Sequence, residues 1–250
     1  MNGPYYIISD NHFSMNINEA ENIRRDKIFA IFEKIKNIGK GSLIIGGDFF
    51  DYWFEYKYEI PKGYENILKS LNDLNNHNID IYYILGNHDY WDFGYLNKMT
   101  GAKIFKQDFE FIYNNKKILI THGDGIVKSE YGYRFMRSII RSKLFIKLYK
   151  LFPAKLTCNF SKIFSRVNSG YNHNDKYVEA IRNDTLEYAQ KKWNENYDIV
   201  CIGHYHQDGI ISNAQKKLIY LGDWLNKFTV TIINEETCWQ GNWKQFRDLS

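Results

Sequence analysis

Residues 199–208 read IVCIGHYHQD. Four apolar residues run into Gly203, and His204 and His206 follow with one residue between them. A single histidine beside an apolar run is ordinarily a structural residue satisfied by a neighbour. A pair drawn from only seven histidines in 250 residues gains meaning if other apolar runs end in matching chemistry. They do. YYIISDNH (5–12) ends in Asp10 and His12, and SLIIGGDFFD (42–51) ends in Asp48 and Asp51. IYYILGNHD (81–89) delivers Asn87, His88 and Asp89, and KILITHGD (117–124) delivers His122 and Asp124. Five of the seven histidines occupy these exits, while His77 and His173 lie in polar, loop-like surroundings and are not expected to be ligands.

Short runs rich in Ile, Val, Leu and Tyr are the pattern of buried strands. They predict strands at 5–9, 42–45, 79–85, 117–121 and 199–202. Residues 19–37 carry Ile23, Ile28, Phe29, Phe32 and Ile35 near helical spacing, with Gly39 and Gly41 just beyond, and 64–75 and 174–192 read as further helices. Alternating strands and helices point to an α/β layered fold. Beyond Asp208 the chain turns strand-rich, at 209–212, 217–221, 227–234 and 237–242. In such a fold the site lies at the carboxyl ends of parallel strands, so the five exits converge. Imidazole, carboxylate and amide oxygen suit manganese, iron or zinc, with no thiolate to select softer metals. A carboxylate can bridge two ions, and two histidines on one short segment can serve one ion each.

The bulk composition sets the frame. Hydrophobic residues at 44% and charged residues at 25% are ordinary for a globular chain. No apolar stretch approaches the roughly 20 residues of a membrane span, and the first residues lack a secretory pattern. Cys158, Cys201 and Cys238 form no close pair, which argues against a disulfide scaffold or a zinc–thiolate site. Net charge is +4 but uneven: residues 127–166 hold ten Lys/Arg against Glu130 alone. Such a patch favours an anionic partner. Residues 134–152 read as helical, but the apolar stripe changes sides, which predicts a break near Ser142.

Together the blocks DNH, GDFFD, GNHD, THGD and GHYH resemble the calcineurin-like metallophosphoesterases, whose ordered motifs are all present between Asp10 and His206. The resemblance implies an α/β fold of two mixed β-sheets flanked by helices. It also implies two divalent ions, manganese first with iron or zinc as alternatives. Asp10, His12, Asp48 and His206 would hold one ion, and Asp48, Asn87, His122 and His204 the other. His88 would stand beside the phosphate with Asp51 orienting it, and a metal-activated hydroxide would attack phosphorus.

The stretches GDFFDYWFEY and THGDGIVKSEYGYRFMR are similar to the bacterial UDP-2,3-diacylglucosamine pyrophosphatases of lipid A synthesis. That likeness implies one domain over residues 1–250 with a helical cap inserted at about 127–196 for acyl chains. It implies a UDP-linked acylated sugar as substrate, with Asn87, His88, Asp124, Tyr133 and Arg137 in contact with it. A cytoplasmic enzyme resting on an anionic inner-membrane surface is the expected setting, with no nucleic-acid partner. The chain departs from many members of that group in carrying His88 where they carry arginine. A soluble phosphodiesterase or nucleotide pyrophosphatase, and a metal-free scaffold on the same fold, are the competing expectations. Trp53, Trp91 and Trp224 are placed either on the pocket or in the core.

Overall fold

A computed structural model describes residues 3–56, 59–151 and 175–246. Cys158, His173 and the middle of the expected cap fall outside these residues. Two mixed sheets pack face to face. The first has the order β11–β10–β1–β2–β3–β4 and the second β5–β6–β7–β9–β8. In the first, β1 (Tyr5–Ile8), β2 (Ser42–Ile45), β3 (Asp80–Ile84) and β4 (Lys103–Phe105) run parallel. Antiparallel β10 (Thr229–Ile233) and β11 (Cys238–Asn242) complete it. In the second, β6 (Lys116–Thr121), β7 (Ile199–Ile202) and β9 (Lys216–Leu221) run parallel. Its edges are the antiparallel β5 (Phe109–Tyr113) and β8 (Asp208–Asn213).

The period of two along each strand sorts side chains into layers. Tyr5, Ile7, Ile44, Tyr82 and Ile84 of the first sheet meet Ile118, Ile120, Ile199, Cys201 and Ile219 of the second. Their alternates, Tyr6, Ile8, Leu43, Ile45 and Tyr83, face outward onto α1 (Glu19–Ile38) and α2 (Glu65–Asn76). On the far side Leu119, Val200, Ile202 and Leu218 pack on the helix Asp175–Asn194, here α6. Strands buried on both faces explain why their sequences are continuous apolar runs. Trp53 and Trp224 are fully buried and Trp91 nearly so, which places all three in the packing.

The expected bend in the basic segment is a true break. Helix α4 (Tyr131–Ile140) ends, and Ser142 starts α5 (Lys143–Tyr149) by accepting the Phe145 amide at 3.2 Å. Four elements among the described residues are absent from the sequence expectation: the short helix α3 (Tyr95–Thr100), β4, β5 and a 3-10 turn at Trp243–Gln245. The hairpin between β5 and β6 turns on Asn114 and Asn115, both left-handed with φ 47° and 58°. Asparagine tolerates this conformation and the turn matches strand twist.

Ile44 is fully buried between the sheets. Ile44→Ala should lower unfolding free energy by about 2–5 kcal/mol. Urea denaturation would show this as a lower midpoint at unchanged slope.

Candidate functional site

Strands β1, β2, β3, β6 and β7 each release candidate ligand side chains at their carboxyl ends, on one rim of the two sheets. Five of these residues sit in left-handed backbone: Asp10 (φ 52°), His12 (46°), Asp48 (51°), His204 (65°) and His206 (53°). Few non-glycine residues adopt this conformation, Asp and His more readily than most. It lets a strand stop abruptly and turn its next side chain across the rim. Close approach of neighbouring exits then requires glycine. Gly47 has φ 102°, and a β-carbon there would collide with His122 Nδ1. A β-carbon on Gly86 would meet the Asp48 carboxylate.

The donors form linked sets. Atoms of Asp10, His12 and His206 lie within 4.8 Å of one another, as do atoms of Asp48, His122 and His204, and of His12, Asp48 and His88. His12 and Asp48 each belong to two of these sets and so link all three, with Asp48 Oδ2 at 3.3 Å from His122 Nε2 and 3.9 Å from His12 Nε2. Asn87 Oδ1 stands 3.1 Å from His122 Nε2. His206 Nε2 is 3.7 Å from Asp10 Oδ1. The structure thus gathers all seven expected metal ligands on one rim, drawn from both sheets.

Other contacts fix these side chains. His122 Nδ1 meets the Gly46 carbonyl at 3.0 Å, which directs Nε2 inward. Asp10 accepts Ser9 Oγ at 2.6 Å and the His204 amide at 3.0 Å. Asp48 Oδ1 accepts the His88 amide at 2.8 Å. His88 Nδ1 sits 2.7 Å from the carbonyl of Asp51, whereas the Asp51 carboxylate is 3.7 Å away. Asp51 therefore orients this ring through its main chain. Asp89 joins two exits by accepting the Phe49 amide at 2.8 Å, the Gly86 amide at 2.7 Å and the Tyr83 hydroxyl at 2.5 Å.

Over the Asp48 side of the rim, Asp124 accepts Tyr133 at 2.9 Å, Arg137 at 3.1 Å and Arg141 at 2.9 Å. Arg141 was not singled out from sequence, although it stands one helical turn beyond Arg137. Arg24 and Asp223 were also missed. Arg24 of α1 donates to the carbonyls of Asn11, His12 (3.0 Å) and Trp224 (3.3 Å), and to Glu21 at 2.9 Å. Asp223 Oδ1 accepts the amides of Leu225, Asn226 and Lys227, and its Oδ2 lies 3.9 Å from His206 Nδ1. His77 stands apart, half exposed at the end of α2.

Electrostatics divide the cluster. Burial opposes charge on Asp48, yet the imidazoles of His122, His88 and His12 outweigh it and hold the carboxyl well below its usual range. Burial also opposes a proton on His122, but Asp48 and Asp10 push that ring up to about 10. Burial and repulsion from His122 push His204 down to about 3. Burial and His88 hold His12 well below its ordinary value. Asp124 is lowered because Arg141, His122 and their neighbours overcome its burial.

This donor set fits divalent cations. Two ligand atoms each about 2.1 Å from one ion lie roughly 3–4 Å apart, the spacing found between these carboxylate and imidazole atoms. His12 Nε2 is buried with no hydrogen-bond partner, an orphan that a cation would satisfy. The family model for calcineurin-like phosphoesterases matches residues 3–208. The chain belongs to that family. It is a metal-dependent phosphoester hydrolase, and the divalent-metal chemistry of the calcineurin-like phosphoesterases accords with its histidine and aspartate sets. The chain is 26% identical over 260 residues to the UDP-2,3-diacylglucosamine hydrolase of Porphyromonas gingivalis (strain ATCC BAA-308 / W83), covering 96% of this chain and 95% of that one. It is 29% identical over 217 residues to the hydrolase of the same name from Blochmanniella pennsylvanica (strain BPEN), covering 83% and 85%. The corresponding protein of Haemophilus influenzae (strain PittGG) is 24% identical over 238 residues, covering 93% and 95%.

Arg24→Ala removes the guanidinium that ties the Asp10–His12 loop to Trp224 and α1. It should cost about 2 kcal/mol or more and loosen the Asp10–His12–His206 set. Thermal melts and the metal-to-protein ratio after dialysis against manganese would both fall.

Proposed function

We propose that this chain hydrolyses the diphosphate of UDP-2,3-diacylglucosamine to UMP and 2,3-diacylglucosamine 1-phosphate. The observation that carries the reading is the linked donor sets lying beneath a helix pair that packs Ile140, Ile146 and Tyr149 on the body but leaves other apolar side chains in solvent. Phe135 of α4 is 70% exposed and Leu144 of α5 is 69% exposed. The names of the relatives support the same substrate.

In this reading Asp10, His12, Asp48 and His206 hold one ion, and Asp48, Asn87, His122 and His204 hold the other. Manganese suits imidazole and carboxylate donors without thiolate. When bound, the two cations supply charge neutralisation at the phosphoryl oxygens and acidify water for attack on phosphorus. His88, its Nδ1 engaged by the Asp51 carbonyl, keeps Nε2 for the phosphoryl or leaving oxygen. Asn87 adds an amide beside it. Asp124 holds Tyr133 and Arg137 in place for the polar head of the substrate.

The segment at about 127–196 acts as a cap on the 1–250 domain. The apolar residues of α4 and α5 receive acyl chains, and Lys143, Lys147 and Lys150 meet phosphate or an anionic bilayer surface. Among the described residues no helix is long and apolar enough to cross a membrane.

The decisive assay is UMP release from UDP-2,3-diacylglucosamine with Mn²⁺, beside Asn87→Ala. Release that needs the metal and is lost in the variant supports the reading. Hydrolysis of an aryl phosphodiester without UMP release removes the lipid substrate and leaves a soluble phosphodiesterase. His88→Ala should lower kcat by about 10²–10⁴-fold with bound metal unchanged by elemental analysis. Asp48→Asn should lose metal and activity together.

A further inference from the structure

A cleft of about 530 Å³ opens between α4 and the exits of β3, β4 and β6. His122 and Asp124 form part of its wall, so it is continuous with the candidate site. Arg134, Arg137, Ser138 and Arg141 also line it. Their spacing of three, four and seven places them on one helical face. The apolar residues Tyr131, Phe135 and Ile139 of the same helix are exposed to solvent.

The cations of the cleft are unequally engaged. Arg137 and Arg141 share the carboxylate of Asp124, and with Asp108 as the other acid on the wall the four Lys and Arg side chains of the cleft still outnumber its carboxylates. Arg134 is spent on the carbonyls of Val127 (2.7 Å) and Lys128 (2.9 Å). Lys106 lines the cleft and is exposed, and among the described residues no carboxylate lies within ion-pair distance of it. Its Nζ lies between two rings, 5.1 Å from the centre of Phe93 and 5.9 Å from that of Tyr90 on the cleft wall, and Arg141 Cζ lies 4.2 Å from the Tyr90 ring. Cations beside an aromatic ring suit a ligand with an anionic group and a planar one. The volume is that of a small-molecule site, about 300–1,000 Å³, and generous for an orthophosphate. An acyl chain would meet charge here.

We propose that this cleft holds the nucleoside monophosphate half of the substrate, with Lys106 as a specificity-determining cation. The assignment rests on the diphosphate reading above and adds where each half lies. Helix α4 then sorts the substrate: the charged nucleotide on its arginine face, the acylated sugar on its apolar face.

The test titrates the Mn²⁺-loaded full chain by calorimetry with UMP, glucosamine 1-phosphate and inorganic phosphate. Lys106→Glu should weaken UMP by about tenfold or more, as for loss of one charge-assisted contact, and affect the other two far less. Ser138→Trp, also at an exposed position, should do the same by filling the cleft. Unchanged UMP affinity in both variants overturns the proposal. So does an equal loss for all three probes, which is a general field effect, or a loss confined to glucosamine 1-phosphate. Failure of the substrate reading is separable. No UMP release from the lipid, with UMP affinity still dependent on Lys106, removes the lipid and keeps the nucleotide cleft.

Discussion

The carboxylate of Asp48 is only 2% exposed, and keeping a charge there constrains everything near it. A lone buried carboxylate would be costly enough to neutralise itself. This one persists because the His88 amide reaches one oxygen and the rings of His122 and His12 approach the other. Those three partners come from three strand exits in two sheets. The sheets must therefore pack with their carboxyl ends level, and the core between them enforces it. A one-residue slip in β2 would exchange its two faces, turning Ile44 out of that core and moving Asp48 off its place on the rim. Packing and site are specified by the same register.

Abrupt stops at the strand ends are the local counterpart. An L-residue in left-handed backbone costs about 1–2 kcal/mol, and five functional residues accept it. The compensation is visible in the bonds around them. Arg24 gathers the carbonyls beside His12, Asp10 takes the His204 amide, and Lys227 reaches the His206 carbonyl at 2.7 Å. Strain of this kind persists where surrounding contacts over-determine it.

What could be read from sequence follows from this layout. Strands β1, β2, β6 and β7 are buried on both faces, so each is an unbroken apolar run, and the ligands come immediately after. Strand β4 has only three residues with Lys103 exposed, and α3 has six, too little for periodicity to register. Strand β5 alternates buried and exposed residues but ends in no motif. The supporting residues were illegible for another reason. Arg24 acts on main-chain oxygens, one of them 200 positions away. Sequence shows side chains, not which carbonyl a fold will bring to them. The same limit applies to Asp51, which the family resemblance set beside His88 and whose carbonyl, not its carboxylate, is the atom at 2.7 Å from that ring.

The β5–β6 turn has a practical meaning. Strand β6 runs from Lys116 toward His122, so Asn114 and Asn115 lie at the opposite end of the sheet. At about 3.3 Å per residue they are roughly 20 Å from the functional rim. Both are exposed. The molecule therefore has a built-in handle: a dye, tag or solid support joined at Asn115 would leave the rim and its cleft facing outward.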